Sequence, residues 1–381
     1  MSEVWRVYRM SNWYHSLIPL LLGHVFFFVL YLQIPTSFEL AYCIVLFLIS
    51  AFGFAGFGFL VNDFFDKESD FLAGKPNRLQ ETKLSHVVCY LLLSLMIAIF
   101  PWFFLPVSTT TISLIIAQFI LYLLYSLPFL RFKARPFISN VIDAGYAYLI
   151  PFLLTANVMS LFSNQIIDVY VYLGFSVMLL LVGFTNLLIH QWFDREFDVA
   201  SSIRSTPIWI GPIRTEKLMH FLIVLIVIFI LSNFLMLSVT DPQWWSVVFV
   251  FVFLINEMVQ TYSSSKDNSI QREINAGFRL NQFFQFYLPV VCLILLAYSS
   301  PIWLGILFLF VRFSQKKWPL RQRLKPFSPI FPALVFGLRK LKSITSFLIN
   351  RFVYWAFRVV GIDLIHEKKS AIQFLKEKWI H

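Results

Sequence analysis

The chain has 381 residues; 59% are hydrophobic, 19% aromatic and only 13% charged. Soluble domains carry about 25% charged residues, so a water-soluble fold is excluded. The net charge of +11 is carried by the end of the chain, where residues 314–381 hold 14 Lys/Arg against 3 Asp/Glu while residues 1–313 hold 17 of each sign.

In chain order, apolar runs predict nine main spans at about 16–34, 39–61, 84–105, 108–130, 137–157, 169–191, 217–239, 243–262 and 281–299. Each is long enough for roughly 30 Å of hydrocarbon. Backbone groups in lipid must pair within their own segment, so the spans are predicted to be helices and the fold class all-α. The first run lacks a small-residue cleavage site after it and reads as a span, not a removed signal. Cys43, Cys89 and Cys292 sit inside apolar runs without metal spacing, which implies no disulfide.

The connections alternate. Those at 35–38, 104–112, 158–168 and 239–243 contain no Lys or Arg; the others carry Lys67, Lys75, Arg78 and Lys83, then Arg131, Lys133 and Arg135, then Arg195, Arg204 and Arg214, then Lys266, Arg272 and Arg279. The positive-inside rule puts the second set in the cytoplasm with Arg6 and Arg9. Pro301–Phe313 is too short to span by itself and reads as a re-entrant half-helix or a short tenth span that returns the tail to the cytoplasm. The expected division is a transmembrane domain over 1–313 and a basic tail over 314–381. In that tail Leu341, Ile344, Leu348, Phe352, Trp355 and Val359 recur at helical spacing. The pattern suits an interfacial amphipathic helix on anionic lipid headgroups, or a packing appendage, better than nucleic-acid binding.

Clustered carboxylates at span ends need an explanation where charge is scarce. The second span runs into Asn62-Asp63-Phe64-Phe65-Asp66-Lys67-Glu68-Ser69-Asp70. On a helix, positions 63, 66 and 70 fall at about 0°, 300° and 340°, so three carboxylates share one face. Such a cluster repels itself unless neutralised, and a hard divalent cation such as Mg²⁺ takes oxygen ligands. The bland alternative is a solvated helix end with Lys67 as counter-ion. The sixth span ends in His190-Gln191-Trp192-Phe193-Asp194-Arg195-Glu196-Phe197-Asp198, with Asp194 and Asp198 one turn apart and Gln191 one turn earlier. Two acidic helix ends on one side suit two Mg²⁺ ions and a diphosphate between them. Lys75 and Arg78 follow the first cluster, Arg204 follows the second, and a third loop supplies Arg131, Lys133 and Arg135, of which Arg135 reads as topology alone. His190 reads as a polar boundary residue, and the 45 Phe decide nothing by number, since an isoprenoid channel and lipid-facing helices both use them.

Together these segments resemble the UbiA superfamily of intramembrane prenyltransferases. Asn62, Asp63, Asp66 and Asp70 match every fixed position of its N-D-x-x-D-x-x-x-D motif. Asp194, Asp198 and Gly211 fit its second motif, with Ser202 in place of a Gly and Ser205 in place of a Thr. Tyr125-Ser126-Leu127-Pro128-Phe129-Leu130-Arg131-Phe132-Lys133 is similar to its Y-S-x-P-P-x-R-x-K stretch, and Asn12-Trp13 through Leu22-Gly23 to its first-span entry. The resemblance covers about residues 10–300. It implies nine transmembrane helices around a central cavity and Mg²⁺-dependent transfer of a polyprenyl group from its diphosphate to an aromatic or other lipid-precursor acceptor. It implies that Asn62, Asp63, Asp66 and Asp70 hold one metal, and that Asp194 and Asp198 serve a second or help to activate the acceptor. Lys75, Arg78, Arg131, Lys133 and Arg204 would bind diphosphate, and Tyr125 would face the reacting centre. Gln191 stands where some members are acidic, and Pro76-Asn77-Arg78-Leu79 lacks an Arg-Pro pair often found there.

Phosphoribosyl transfer to a polyprenyl phosphate is the alternative on the same fold. The D-G-x-x-A-R opening of CDP-alcohol phosphotransferases is absent. An ion-coupled transporter would place its ionisable groups near mid-membrane, whereas both clusters here lie at span ends. Without a transit-peptide signature the expected location is a prokaryotic cell membrane, with the site loops cytoplasmic.

Overall fold

The structure, a computed structural model, describes residues 7–72, 74, 76–201, 203–264 and 269–314. The expected tail helix, Lys75 and Ser202 lie outside these residues. All regular structure among the described residues is helical. The helices are α1 (Met10–Tyr31), α2 (Phe38–Leu72), α3 (Leu84–Ile99), α4 (Thr109–Ser126), α5 (Ile138–Ala144), α6 (Ile150–Ser163), α7 (Val169–Ala200), α8 (Thr206–Ile210), α9 (Pro212–Thr240), α10 (Trp245–Ser264), α11 (Ser269–Gln282), α12 (Leu288–Leu296) and α13 (Ile302–Ser314). One π-helical turn, Gly145–Leu149, joins α5 to α6, and another, Phe283–Tyr287, joins α11 to α12.

Eight of these segments, counting each π-joined pair once, are long and apolar enough to cross a membrane. The expected span at 243–262 is α10, whose apolar part, Pro242–Asn256, is shorter than a span because polar residues follow it. Pro301–Phe313 corresponds to the short apolar helix α13.

Two helices overrun the apolar layer. α2 has 35 residues and α7 has 32, which at 1.5 Å per residue is about 50 Å against about 30 Å of hydrocarbon. Sequence periodicity ended these spans near residues 61 and 191; the helices continue through both acidic motifs to Leu72 and Ala200. The carboxylates therefore ride on the last turns, beyond the lipid core. Carboxylates at helix C-termini oppose the helix dipole and need positive partners.

α1 runs through the middle of the bundle and packs on α6 and α12, while α2 packs on α3 and α4, and α7 on α5 and α9. Lipid-like contact is left to outer faces such as Met96, Phe103 and Phe249. Many phenylalanines are core filling. Phe27 and Phe175 lie 4.7 Å apart between ring centroids, and Phe152 stacks on Phe175 at 6.0 Å. Phe28, Phe234 and Phe283 are buried among the same rings.

Small residues let helices approach closely. At Gly53 on α2 an added Cβ would lie 2.2 Å from the Ala98 backbone nitrogen, and the Ser50 hydroxyl donates to the Ala98 carbonyl at 2.6 Å. Gly53→Leu is expected to force α2 from α3 and to destabilise the protein by about 1–3 kcal/mol. Thermal unfolding in detergent would show a lowered midpoint; an unchanged midpoint would refute so close a crossing.

Candidate functional site

The site forms at one end of the bundle, within the unit Met1–Trp303. Asp63 and Asp66 face inward on α2, only 2% and 6% exposed, and Asp70 is half-buried one turn further on. The shared face expected from helical spacing is therefore present. Asn62 is half-buried beside it.

Each buried carboxylate carries a cation. The Arg9 guanidinium donates to Asp63 at 2.8 Å and lies over the Phe59 ring at 5.8 Å. The Lys133 ammonium donates to Asp66, with Arg131 at 4.0 Å from the same oxygen. Arg131 also donates to the Ser69 hydroxyl at 3.1 Å. Arg78 is close enough to Asp63 to act on its charge. Asn77 pins the loop after the motif: its amide donates to the Asp63 carbonyl at 2.8 Å and to the Asp70 carboxylate at 2.9 Å, and its oxygen accepts from the Leu79 N–H.

The loop that delivers Lys133 is built by local rules. Leu127 precedes Pro128, which disfavours helix at that position, and α4 ends at Ser126 with Leu127 extended. Arg131 then takes a left-handed backbone, φ 35°, and starts the tight turn Phe132–Ala134. A non-glycine residue held there costs about 1–3 kcal/mol, a strain that clusters at functional sites. The turn tucks Lys133 inward until it is only 8% exposed. Burial pushes its ammonium down to about 8, against the opposing pull of Asp198 and Asp63.

That opposing pull locates the second motif. Lys133 is within electrostatic reach of both Asp63 on α2 and Asp198 on α7. Asp198 is buried and Asp194 half-buried. Tyr125, at the end of α4, is within reach of both and sets its ring edge-on to Tyr146 at 5.5 Å. Arg204 and His190 are exposed.

Gln191 belongs to a structural network. Its amide donates to the Ser139 hydroxyl at 3.0 Å, Ser139 donates to Asn140 at 3.3 Å, and Thr206 donates to the same Asn140 oxygen at 2.6 Å. This ties α5, α7 and α8 together beneath the second motif. Ser205 is buried at the start of α8. Gly211 has φ +79° between α8 and α9, a conformation that glycine adopts without strain.

Residues 16–288 match the profile of the UbiA prenyltransferase family. The chain belongs to that family. Among solved structures, a UbiA homologue from Archaeoglobus fulgidus bound to GPP and Mg²⁺ is 20% identical, with a TM-score of 0.51 over 75% of this chain and 99% of that one. The homologue bound to DMAPP and Mg²⁺ is 21% identical, with the same TM-score and the same coverage. A further structure of a UbiA homologue from that organism gives 21% identity and a TM-score of 0.50 over 75% and 99% of the two chains. At this identity the likeness establishes a shared fold. Comparison with curated proteins gives no match.

Among the described residues no three His, Cys, Asp or Glu side chains stand close enough together to hold a metal ion as they are. Arg9 and Lys133 supply the positive charge instead. The donor set nevertheless fits Mg²⁺: it is all oxygen, partly buried, and already gathered around cations. Arg9 and Asn77 escaped the sequence reading. Arg9 looked like a topology marker, and Asn77 like part of a departure from the family pattern; only the fold brings them to Asp63 and Asp70.

Asp66→Ala would strand the buried Lys133 ammonium, a change worth about 3–5 kcal/mol. Asp66→Ala is expected to lower the unfolding midpoint, and adding Lys133→Met to recover most of the loss. Equal destabilisation by the single and double variants would show that the pair does not exist.

Proposed function

We propose that this UbiA-family chain transfers a prenyl group from its diphosphate to an acceptor inside the membrane, with Mg²⁺ as cofactor. The carrying observation is that Lys133 lies within electrostatic reach of both acidic helix ends, with Arg131 and Arg9 alongside. The GPP, DMAPP and Mg²⁺ in the Archaeoglobus fulgidus homologues support the reading.

In this reading Asn62, Asp63, Asp66 and Asp70 hold one Mg²⁺, and Asp194 and Asp198 hold a second. The metal supplies Lewis-acid stabilisation of negative charge on the diphosphate. Arg131 and Lys133 donate hydrogen bonds to diphosphate oxygens, and Lys133 exchanges Asp66 for the substrate when the site fills. Lys75, Arg78 and Arg204 contribute positive charge from the flanking loops. As the bond to the departing diphosphate breaks, these fixed cations stabilise the leaving group. The prenyl cation meets aromatic faces, Tyr125 first. Strain at Arg131 and the tie from Asn77 keep the loops in place before substrate arrives.

The carboxylates sit beyond the apolar layer, which suits a donor with a polar head at the interface and a tail in lipid. The Lys and Arg distribution supports cytoplasmic loops and a prokaryotic cell membrane as the location. The charge of residues 314–381 supports contact of the tail with anionic headgroups, while residues 1–313 form the transferase domain.

The test is transfer of label from radiolabelled GPP, farnesyl diphosphate or geranylgeranyl diphosphate, by protein in nanodiscs, to a panel of acceptors with Mg²⁺ or EDTA. Wild type is expected to transfer label only with Mg²⁺, and Asp66→Ala and Asp194→Ala to lose at least about 100-fold. If wild type neither binds nor consumes GPP, farnesyl diphosphate or geranylgeranyl diphosphate, prenyl transfer is wrong and phosphoribosyl transfer to a polyprenyl phosphate is tested next.

A further inference from the structure

Asp143 is a carboxylate in the bundle that has no part in the motifs above. It lies on α5, inside the membrane-spanning segment Ile138–Ser163 and directly before the π-helical turn Gly145–Leu149. Such turns inside α-helices are frequent at functional sites. Asp143 accepts a hydrogen bond from the Tyr146 hydroxyl, and among the described residues no cation pairs with it. It is close enough to act electrostatically on Tyr122, Tyr125, Tyr146 and Tyr148. Tyr146 is clamped in place: its ring lies 4.8 Å from Tyr122 and 5.5 Å from Tyr125, and its carbonyl accepts from Gln118 at 2.9 Å.

Two facts make this more than a core polar group. Asp143 is only half-buried, so part of its carboxylate is accessible. And Tyr125 lies within reach of Asp143 on one side and of Asp194 and Asp198 on the other. The lone carboxylate is thus one tyrosine away from the place where the diphosphate is held.

Among the described residues the Tyr146 hydroxyl is the one donor to Asp143, so its second carboxylate oxygen is open to a further donor. Diphosphate is anionic and would be repelled. A prenyl tail has no donor. The acceptor is the remaining reactant. We infer that Asp143, steadied by Tyr146, binds the acceptor through a hydroxyl and takes its proton during transfer, and that the acceptor enters as a neutral hydroxyl-bearing molecule, not as a carboxylate. This rests on the prenyl-transfer reading above. In the step, the hydroxyl proton passes to Asp143 and the acceptor's electron pair forms the new bond to C1 of the prenyl group. The C1–O bond breaks with its pair leaving on the diphosphate.

The experiment uses full-length protein in nanodiscs with labelled GPP, Mg²⁺ and matched neutral and anionic acceptors, such as 4-hydroxybenzyl alcohol beside 4-hydroxybenzoate, within a wider panel of neutral phenols and alcohols. Wild type is expected to prenylate neutral members in preference to their carboxylated partners. Asp143→Asn is expected to lower transfer by at least about 100-fold, the range of a lost general base, with GPP affinity and unfolding midpoint unchanged. Tyr146→Phe, which keeps the ring packing, is expected to raise the acceptor KM several-fold, and it carries the test if Asp143→Asn does not fold. Transfer by Asp143→Asn within threefold of wild type overturns the inference, as does a parallel loss of GPP affinity and stability, which would mark a structural role. Wild type that consumes GPP but prenylates only carboxylated acceptors, or no neutral member of the panel, overturns it too. Wild type that binds none of GPP, farnesyl diphosphate and geranylgeranyl diphosphate removes the prenyl-transfer reading and this inference with it.

Discussion

The ion pair between Asp66 on α2 and Lys133 in the α4–α5 loop ties the bundle's chemistry to its fold. Both partners are nearly buried, so neither tolerates the loss of the other. Lys133 also stands between α2 and α7, close enough to feel Asp63 and Asp198. Without a cation at that point, two carboxylate-bearing helix C-termini would face each other with their dipoles adding to the repulsion. The strained turn at Arg131, the early stop of α4 before Pro128 and the overlong α2 and α7 all serve to bring that cation there.

The basic side chains then have two occupations. In the free protein they neutralise carboxylates. In the proposed cycle the carboxylates would hold the metal, and the basic groups would turn to the diphosphate. Such an exchange keeps buried charge balanced throughout, so the site does not have to be assembled at the moment of binding. The buried network Gln191–Ser139–Asn140–Thr206 holds α5, α7 and α8 in register while it happens.

Aromatic residues divide between two tasks. Phe27, Phe28, Phe152, Phe175 and Phe234 interlock as core, remote in sequence from both acidic motifs. The tyrosines Tyr122, Tyr125, Tyr146 and Tyr148 instead lie within electrostatic reach of Asp143, and the Tyr146 hydroxyl donates to it. Composition does not separate the two groups, because filling and function use the same ring.

Sequence by itself determined the all-α membrane class, most of the span positions and the shared face of Asp63, Asp66 and Asp70. These depend on local rules: hydrocarbon thickness, backbone pairing and 3.6 residues per turn. The family resemblance singled out the two motifs and Lys133 together. The apolar runs end near residues 61 and 191, where charge begins; the helices run on through both motifs, as the helical spacing of the carboxylates requires, to Leu72 and Ala200. The partners of Asp63 and Asp70, namely Arg9 and Asn77, were invisible, as was the electrostatic reach of Asp143 to these tyrosines. Arg9 and Asp63 are 54 residues apart, and Lys133 and Asp66 are 67 apart. Contacts over such distances follow from how helices pack, and only the tertiary structure decides which charge neutralises which.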